Sequence, residues 1–99
     1  MWYAIVGQDV ENSLPLRKVH RTAHLERLNQ LNSAGRLLIA GPHPVADSSE
    51  PTDAGFTGSL LVVEFDSLDD AKKWANADPY FVNGVYQSVS VKPFIKALP

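Results

Sequence analysis

A chain of 99 residues without a single cysteine can form no disulfide, no thiolate nucleophile and no thiolate metal site. It also lacks any apolar run near the roughly 20 residues that cross a bilayer. The opening "MWYAIVGQD" has neither the positive start nor the cleavage signal of a secretory leader, so no membrane partner and a cytoplasmic location are expected. Excess positive charge is missing too: the net charge is −2. The one local basic cluster, Arg17, Lys18, Arg21 and Arg27, is short and broken by Glu26. Nucleic-acid binding needs a basic face to neutralise phosphates, so no nucleic-acid partner is expected. Nor is there a glycine-rich phosphate loop. "GFTGS" has the wrong spacing and precedes a strand, and no organic cofactor is implied.

What is present is ordinary globular material, 44% hydrophobic and 20% charged, enough for one domain over residues 1–99 with its own core. "WYAIVGQD" is aromatic and β-branched and predicts a buried strand of about 7 residues. Over residues 16–34 the spacing turns helical, with Leu16, Val19, Ala23, Leu28, Leu31 and Ala34 as the apolar arc. Ser13 stands where an N-cap belongs, Pro15 falls in the first turn, and Gly35 suits the C-terminal end. "RLLIAGP" predicts a second strand, and residues 43–56 a polar loop of a length that usually carries function. "GSLLVVEFDS" is the third strand. Asp66 or Ser67 can cap a second helix, "LDDAKKWANA", stopped by Asp78-Pro79. "YFVNG" reads as a loop before the last strand, "VYQSVSVKPF".

The order β-α-β-β-α-β predicts an α+β, ferredoxin-like fold: a four-stranded antiparallel sheet with two helices on one face. Leu60, Leu61, Val62 and Val63 run apolar without alternation, so both sheet faces need cover. The expected second cover is another copy of the chain, a homodimer packed sheet to sheet.

Two histidines, His20 and His24, lie one turn apart on the first helix. At about 100° per residue His24 falls inside the apolar arc, between Leu28 and Leu31. The residues alone leave three readings open. His24 is a core histidine satisfied by a carbonyl, or a general acid–base tuned by burial, or half of an i, i+4 metal pair with His20. The metal reading lacks support, because the metalloprotease pattern wants glutamate where Arg21 stands and cations flank the pair. A catalytic imidazole needs a carboxylate to fix its tautomer, and Asp9, Asp47, Asp53 and Asp78 are the candidates. Asp78 reads equally as a helix stop.

Taken together, "RTAHLERL", "GRLLIAGP", "AGFTGSLLVVEF", "ANADPY" and "GVYQSVSVKPF" resemble the YciI-like (YCII) family, a relative of the muconolactone isomerase-like proteins. The resemblance implies a ferredoxin-like fold and a dimer of the α/β-barrel type. It also implies a His24–Asp78 catalytic dyad, with Arg21 placed to hold an anionic group and Ser59, Tyr80 and Tyr86 as substrate-binding positions. One branch of the family carries out dehydrochlorination, which implies a small-molecule lyase or isomerase acting on a cyclic substrate. The alternatives are a non-catalytic dimeric module that binds a ligand or regulates a partner, and a haem- or antibiotic-handling barrel relative.

Overall fold

The computed structural model describes residues 1–50 and 53–99. Its elements run β1 (Trp2–Asp9), α1 (Leu14–Ser33), β2 (Leu37–Pro44), β3 (Phe56–Glu64), α2 (Leu68–Asn76), α3 (Pro79–Val82) and β4 (Tyr86–Phe94). All strand pairs are antiparallel, in the order β2-β3-β1-β4. The expected α+β arrangement is present, with β1 at the centre of the sheet. The edges also explain the prolines: Pro42 and Pro44 sit in β2 and Pro93 in β4, the outermost strands, where a missing N–H breaks fewest ladder bonds.

Register decides which side is core. Ile5 pairs with Leu61 and Tyr3 with Val63, so these side chains share one face. Leu28 and Leu31 of α1 and Ala75 of α2 pack on Ile5, Leu61 and Val63, which places both helices on that side. The opposite face carries Ala4 and Leu60, half-buried, Val62, buried at 4% exposure, and Val6, exposed, and none of them joins the core cluster under the helices.

The ends of α1 differ in how well local signals forecast them. Gly35 has a positive φ of 72°, and Arg36 N–H donates to Leu31 O at 2.8 Å, closing the helix with a Schellman-type turn. Ser13 does occupy the N-cap position, but its side chain makes no capping bond. Its hydroxyl donates instead to the Asp9 carboxylate. At α2 the expected capping by Ser67 is seen, its Oγ accepting from Asp70 N–H at 3.1 Å.

Three local expectations need correction. The buried stripe of α1 is Arg17, His24, Leu28 and Leu31, while Leu16, Val19, Ala23 and Ala34 face water. Burying Arg17 rotates the helix away from its apolar arc, because that side chain has an ion-pair partner beneath it. "YFVNG" is not wholly loop: Pro79–Val82 form a single helical turn, with Pro79 preset for its first position. The polar loop also begins later than expected, since His43 and Pro44 pair with β3. Of its remainder, Pro51 and Thr52 lie outside the described residues.

Candidate functional site

The turn between α2 and α3 places Asp78. Its backbone adopts φ −59°, ψ 128°, and its Oδ1 accepts the Tyr80 N–H at 2.9 Å, an N-cap bond that fixes the carboxylate plane. On the facing side of α1, His24 Nδ1 lies 2.8 Å from Asp78 Oδ1 and 3.0 Å from Oδ2. A carboxylate accepts from this nitrogen, so the contact suits the tautomer with its proton on Nδ1 and the Nε2 lone pair free. Both partners are buried, with 6% exposure for His24 and 3% for Asp78. Nε2 has no hydrogen-bond partner among the described residues.

The ring is held from a second direction. Tyr80 stacks on it with centroids 3.9 Å apart, and Tyr86 meets Tyr80 edge-on at 5.6 Å. The Tyr80 hydroxyl donates to Arg17 O at 3.3 Å. Burial pushes the Tyr80 and Tyr86 hydroxyls above their ordinary pKa, with Arg17 partly offsetting the effect for both.

Beneath α1 lies a polar cluster that Asp78 and His24 do not explain. Arg17 is 6% exposed and Asp9 7%. Arg17 Nε and Nη2 donate to the two Asp9 oxygens at 2.6 and 3.0 Å, and Nη2 also reaches Gly58 O at 3.0 Å and Ser59 Oγ at 2.9 Å. Burial alone pulls the Arg17 guanidinium down. The hydrogen bond and charge of Asp9 more than offset this, leaving it above its ordinary value. Gly58 is needed here because a Cβ would sit 2.2 Å from Gly7 O, so the strands can approach only without a side chain.

A half-open cleft of about 810 Å³ lies between α1 and the β2–β3 edge. Arg17, Arg21, His24, Ser59, Phe56 and Tyr80 contribute to its walls, and Glu50 and Asp53 stand among the loop residues that line it. Of the expected site residues, then, His24, Arg21, Ser59 and Tyr80 meet at this cleft, with Asp78 behind His24. Tyr86 stays outside it, packed on Gly7 beneath Tyr80. His20 is half-buried and His43 exposed, and neither lines the cleft. A second cleft of about the same volume is lined by Asp9 and Asp53, two of the candidate carboxylates, and by none of His24, Asp78, Arg21, Ser59, Tyr80 or Tyr86.

Arg17 escaped the sequence reading, which counted it only as part of a short basic cluster broken by Glu26. A usable signal did exist: Arg17 precedes His24 by seven residues, two turns on the same helix face.

The architecture is an α+β domain, a four-stranded antiparallel sheet with helices on one face and a His–Asp contact beside a helix-walled cleft. The chain belongs to the YCII-related domain family, whose model matches residues 1–95. It is 55% identical over 96 residues to Protein YciI of Escherichia coli O6:H1, covering 97% of this chain and 98% of the relative. An uncharacterized protein of Haemophilus influenzae is 50% identical over 96 residues, with the same coverage. Among solved structures it is similar to the 5-chloro-2-hydroxyhydroquinone dehydrochlorinase TftG of Burkholderia phenoliruptrix, in complex with 2,5-dihydroxybenzoquinone. That likeness has a TM-score of 0.84 and 27% identity, covering 98% of this chain and 96% of the other.

Proposed function

We propose that this chain is a small-molecule lyase or isomerase in which His24 moves the proton and Asp78 fixes the imidazole for it. The observation that carries the reading is the short contact from His24 Nδ1 to both Asp78 oxygens beside a cleft of molecular size. Nε2 takes a proton from a carbon next to a carbonyl, or from a phenolic oxygen, of a small cyclic substrate. The electron pair left behind expels a leaving group such as chloride, or is reprotonated elsewhere by the imidazolium. Such proton transfer is worth about 10²–10⁴ in rate. Arg21, exposed at the cleft wall, pairs with an anionic group on the substrate. The named activity of TftG supports elimination over isomerisation.

The working unit in this reading is a homodimer joined through the uncovered sheet face. Val6, Ile39 and Phe94 on that face are 38%, 58% and 37% exposed, which supports a partner there.

The test is Asp78→Asn. The native Oδ1 already holds Tyr80 N–H, so the asparagine oxygen stays there and its NH₂ meets His24 Nδ1. That forces the proton onto Nε2 and removes the base. Chloride release from 5-chloro-2-hydroxyhydroquinone should fall by about 10²–10⁴. Heteronuclear NMR of the imidazole nitrogens should report Nδ1–H in the wild type and Nε2–H in the variant. An Nε2–H wild type would sink the dyad.

A further inference from the structure

Resting on the His24–Asp78 reading, we propose that Arg27 is the positioning residue for Asp78: it ties the last turn of α2 to α1 and so sets where the carboxylate meets the imidazole. Arg27 follows His24 by three residues, about one turn along the same side of α1. Both side chains reach across to one short stretch. His24 meets Asp78, and Arg27 Nη2 donates to Trp74 O at 2.9 Å, four residues earlier. The chain between those two points has little slack. Ala77 N–H donates to Lys73 O and Trp74 O, and Asp78 N–H donates to Ala75 O at 3.2 Å. A single contact with α1 would leave this turn free to swivel, whereas two contacts a helical turn apart fix its orientation. Tyr80 adds a tie on the far side of His24, its hydroxyl donating to Arg17 O, but that bond is long at 3.3 Å.

The surroundings of Arg27 suit this role better than that of a surface charge. Its guanidinium lies over the Trp74 ring, 4.4 Å from the centroid, and Trp74 is itself packed on the core and against Phe65. The anchor is therefore rigid. Nη1 is buried with no hydrogen-bond partner among the described residues, which costs stability and which a solvated arginine avoids by turning to water. Burial pulls the guanidinium below its ordinary pKa, and the negative charge that opposes this is that of Asp78. Cation and imidazole thus address the same carboxylate. Arg27 does not line the cleft, so any effect it has on a ligand passes through Asp78 and His24.

The test is nitrogen NMR of the His24 imidazole in the full chain, which needs no ligand. Spectra are taken at about pH 9, above the ordinary range of histidine titration, so that only the neutral tautomers are compared. The wild type should show Nδ1–H. Arg27→Met keeps an apolar stem against Trp74 but loses the donor and the charge. It should lower the ratio of Nδ1–H to Nε2–H by about 10-fold, and speed exchange of the Nδ1 proton with water by a similar factor. Arg27→Gln, too short to reach Trp74 O, is read the same way should Arg27→Met not fold. Arg27→Lys keeps the charge and a donor one bond shorter, and should return most of the Nδ1–H. A role in packing alone would lower the urea midpoint of Arg27→Met and leave tautomer and exchange unmoved, which overturns the proposal. Failure of Arg27→Lys to restore the ratio overturns it too. An Nε2–H wild type is a different result: it removes the dyad itself, and with it the carboxylate contact that Arg27 is held to set.

Discussion

His24 and Tyr80 lie nearly parallel, ring centroids 3.9 Å apart and planes 5° apart. Asp78 meets the imidazole at Nδ1, and Tyr80 fixes the plane in which the ring turns. An imidazolium formed during turnover would lie over the face of a phenol, a favourable place for a cation. Tyr80→Phe preserves the stack and loses only the hydroxyl bond to Arg17 O, at a cost of about 1 kcal/mol. Tyr80→Ala leaves a cavity beside the dyad and should cost about 3–5 kcal/mol. Urea denaturation separates the two. In proton NMR the His24 Nδ1–H should stay visible in Tyr80→Phe and broaden through exchange in Tyr80→Ala.

The Arg17–Asp9 pair should be costly to halve and cheap to remove. The Asp9 side chain is 1% exposed and the Arg17 side chain 7%. Arg17→Met therefore strands a buried carboxylate, and a loss of about 3–5 kcal/mol is expected. Asp9→Asn on top of Arg17→Met removes the stranded charge and should return much of that stability. A double-mutant cycle in urea gives the coupling energy. Additive losses would mean that the two groups do not sense one another.

The element order, the antiparallel α+β sheet and the inward turn of His24 could all be read from the sequence pattern. An aromatic β-branched strand, a helical stretch ending at Gly35 and the run from Leu60 to Val63 leave few topologies open. The polar half of the site was harder to see. Hydrophobic patterning scores Arg17 as solvent-facing, and only its pairing with Asp9, from another element, reverses that. The same rotation put Leu16 and Val19 into water although both fit the apolar arc. Asp78 could be read as a helix stop and is also one, since a single bond to Tyr80 N–H caps α3 and aims the carboxylate at His24. Local grammar does not distinguish a cap that only caps from one that also serves a histidine.

Alkaline pH should loosen the fold through its buried tyrosines. Burial holds Tyr80 and Tyr86 above the ordinary tyrosine value. Their stabilising contribution is complete below about pH 10, where the unfolded chain also keeps its phenolic protons. Above that the unfolded state gives them up first, and stability falls as pH rises toward the folded-state values. Urea midpoints measured between about pH 9 and about pH 11 should decline in the wild type. The decline should be shallower in Tyr86→Phe, which removes the more strongly shifted group. An equal slope in both proteins would mean that Tyr86 titrates freely in the fold.

The uncovered sheet face makes the last prediction. Ala4, Val6, Leu60 and Val62 share it by register, with Ile39 alongside on β2. Gln8, Ser88, Ser90 and Lys92 fall on the same face nearer the β4 edge. An apolar centre beside a polar margin is the anatomy of an interface. A two-fold dimer places every substitution in the contact twice. Val6→Asp or Ile39→Asp should therefore raise the dissociation constant by about 100-fold or more, since each buries two unpaired carboxylates. Sedimentation equilibrium should find a wild-type dimer and variant monomers with unchanged circular dichroism. A wild type that sediments as a monomer at high micromolar concentration would remove the sheet face from the account, leaving the His24–Asp78 cleft, on the other side of the sheet, untouched.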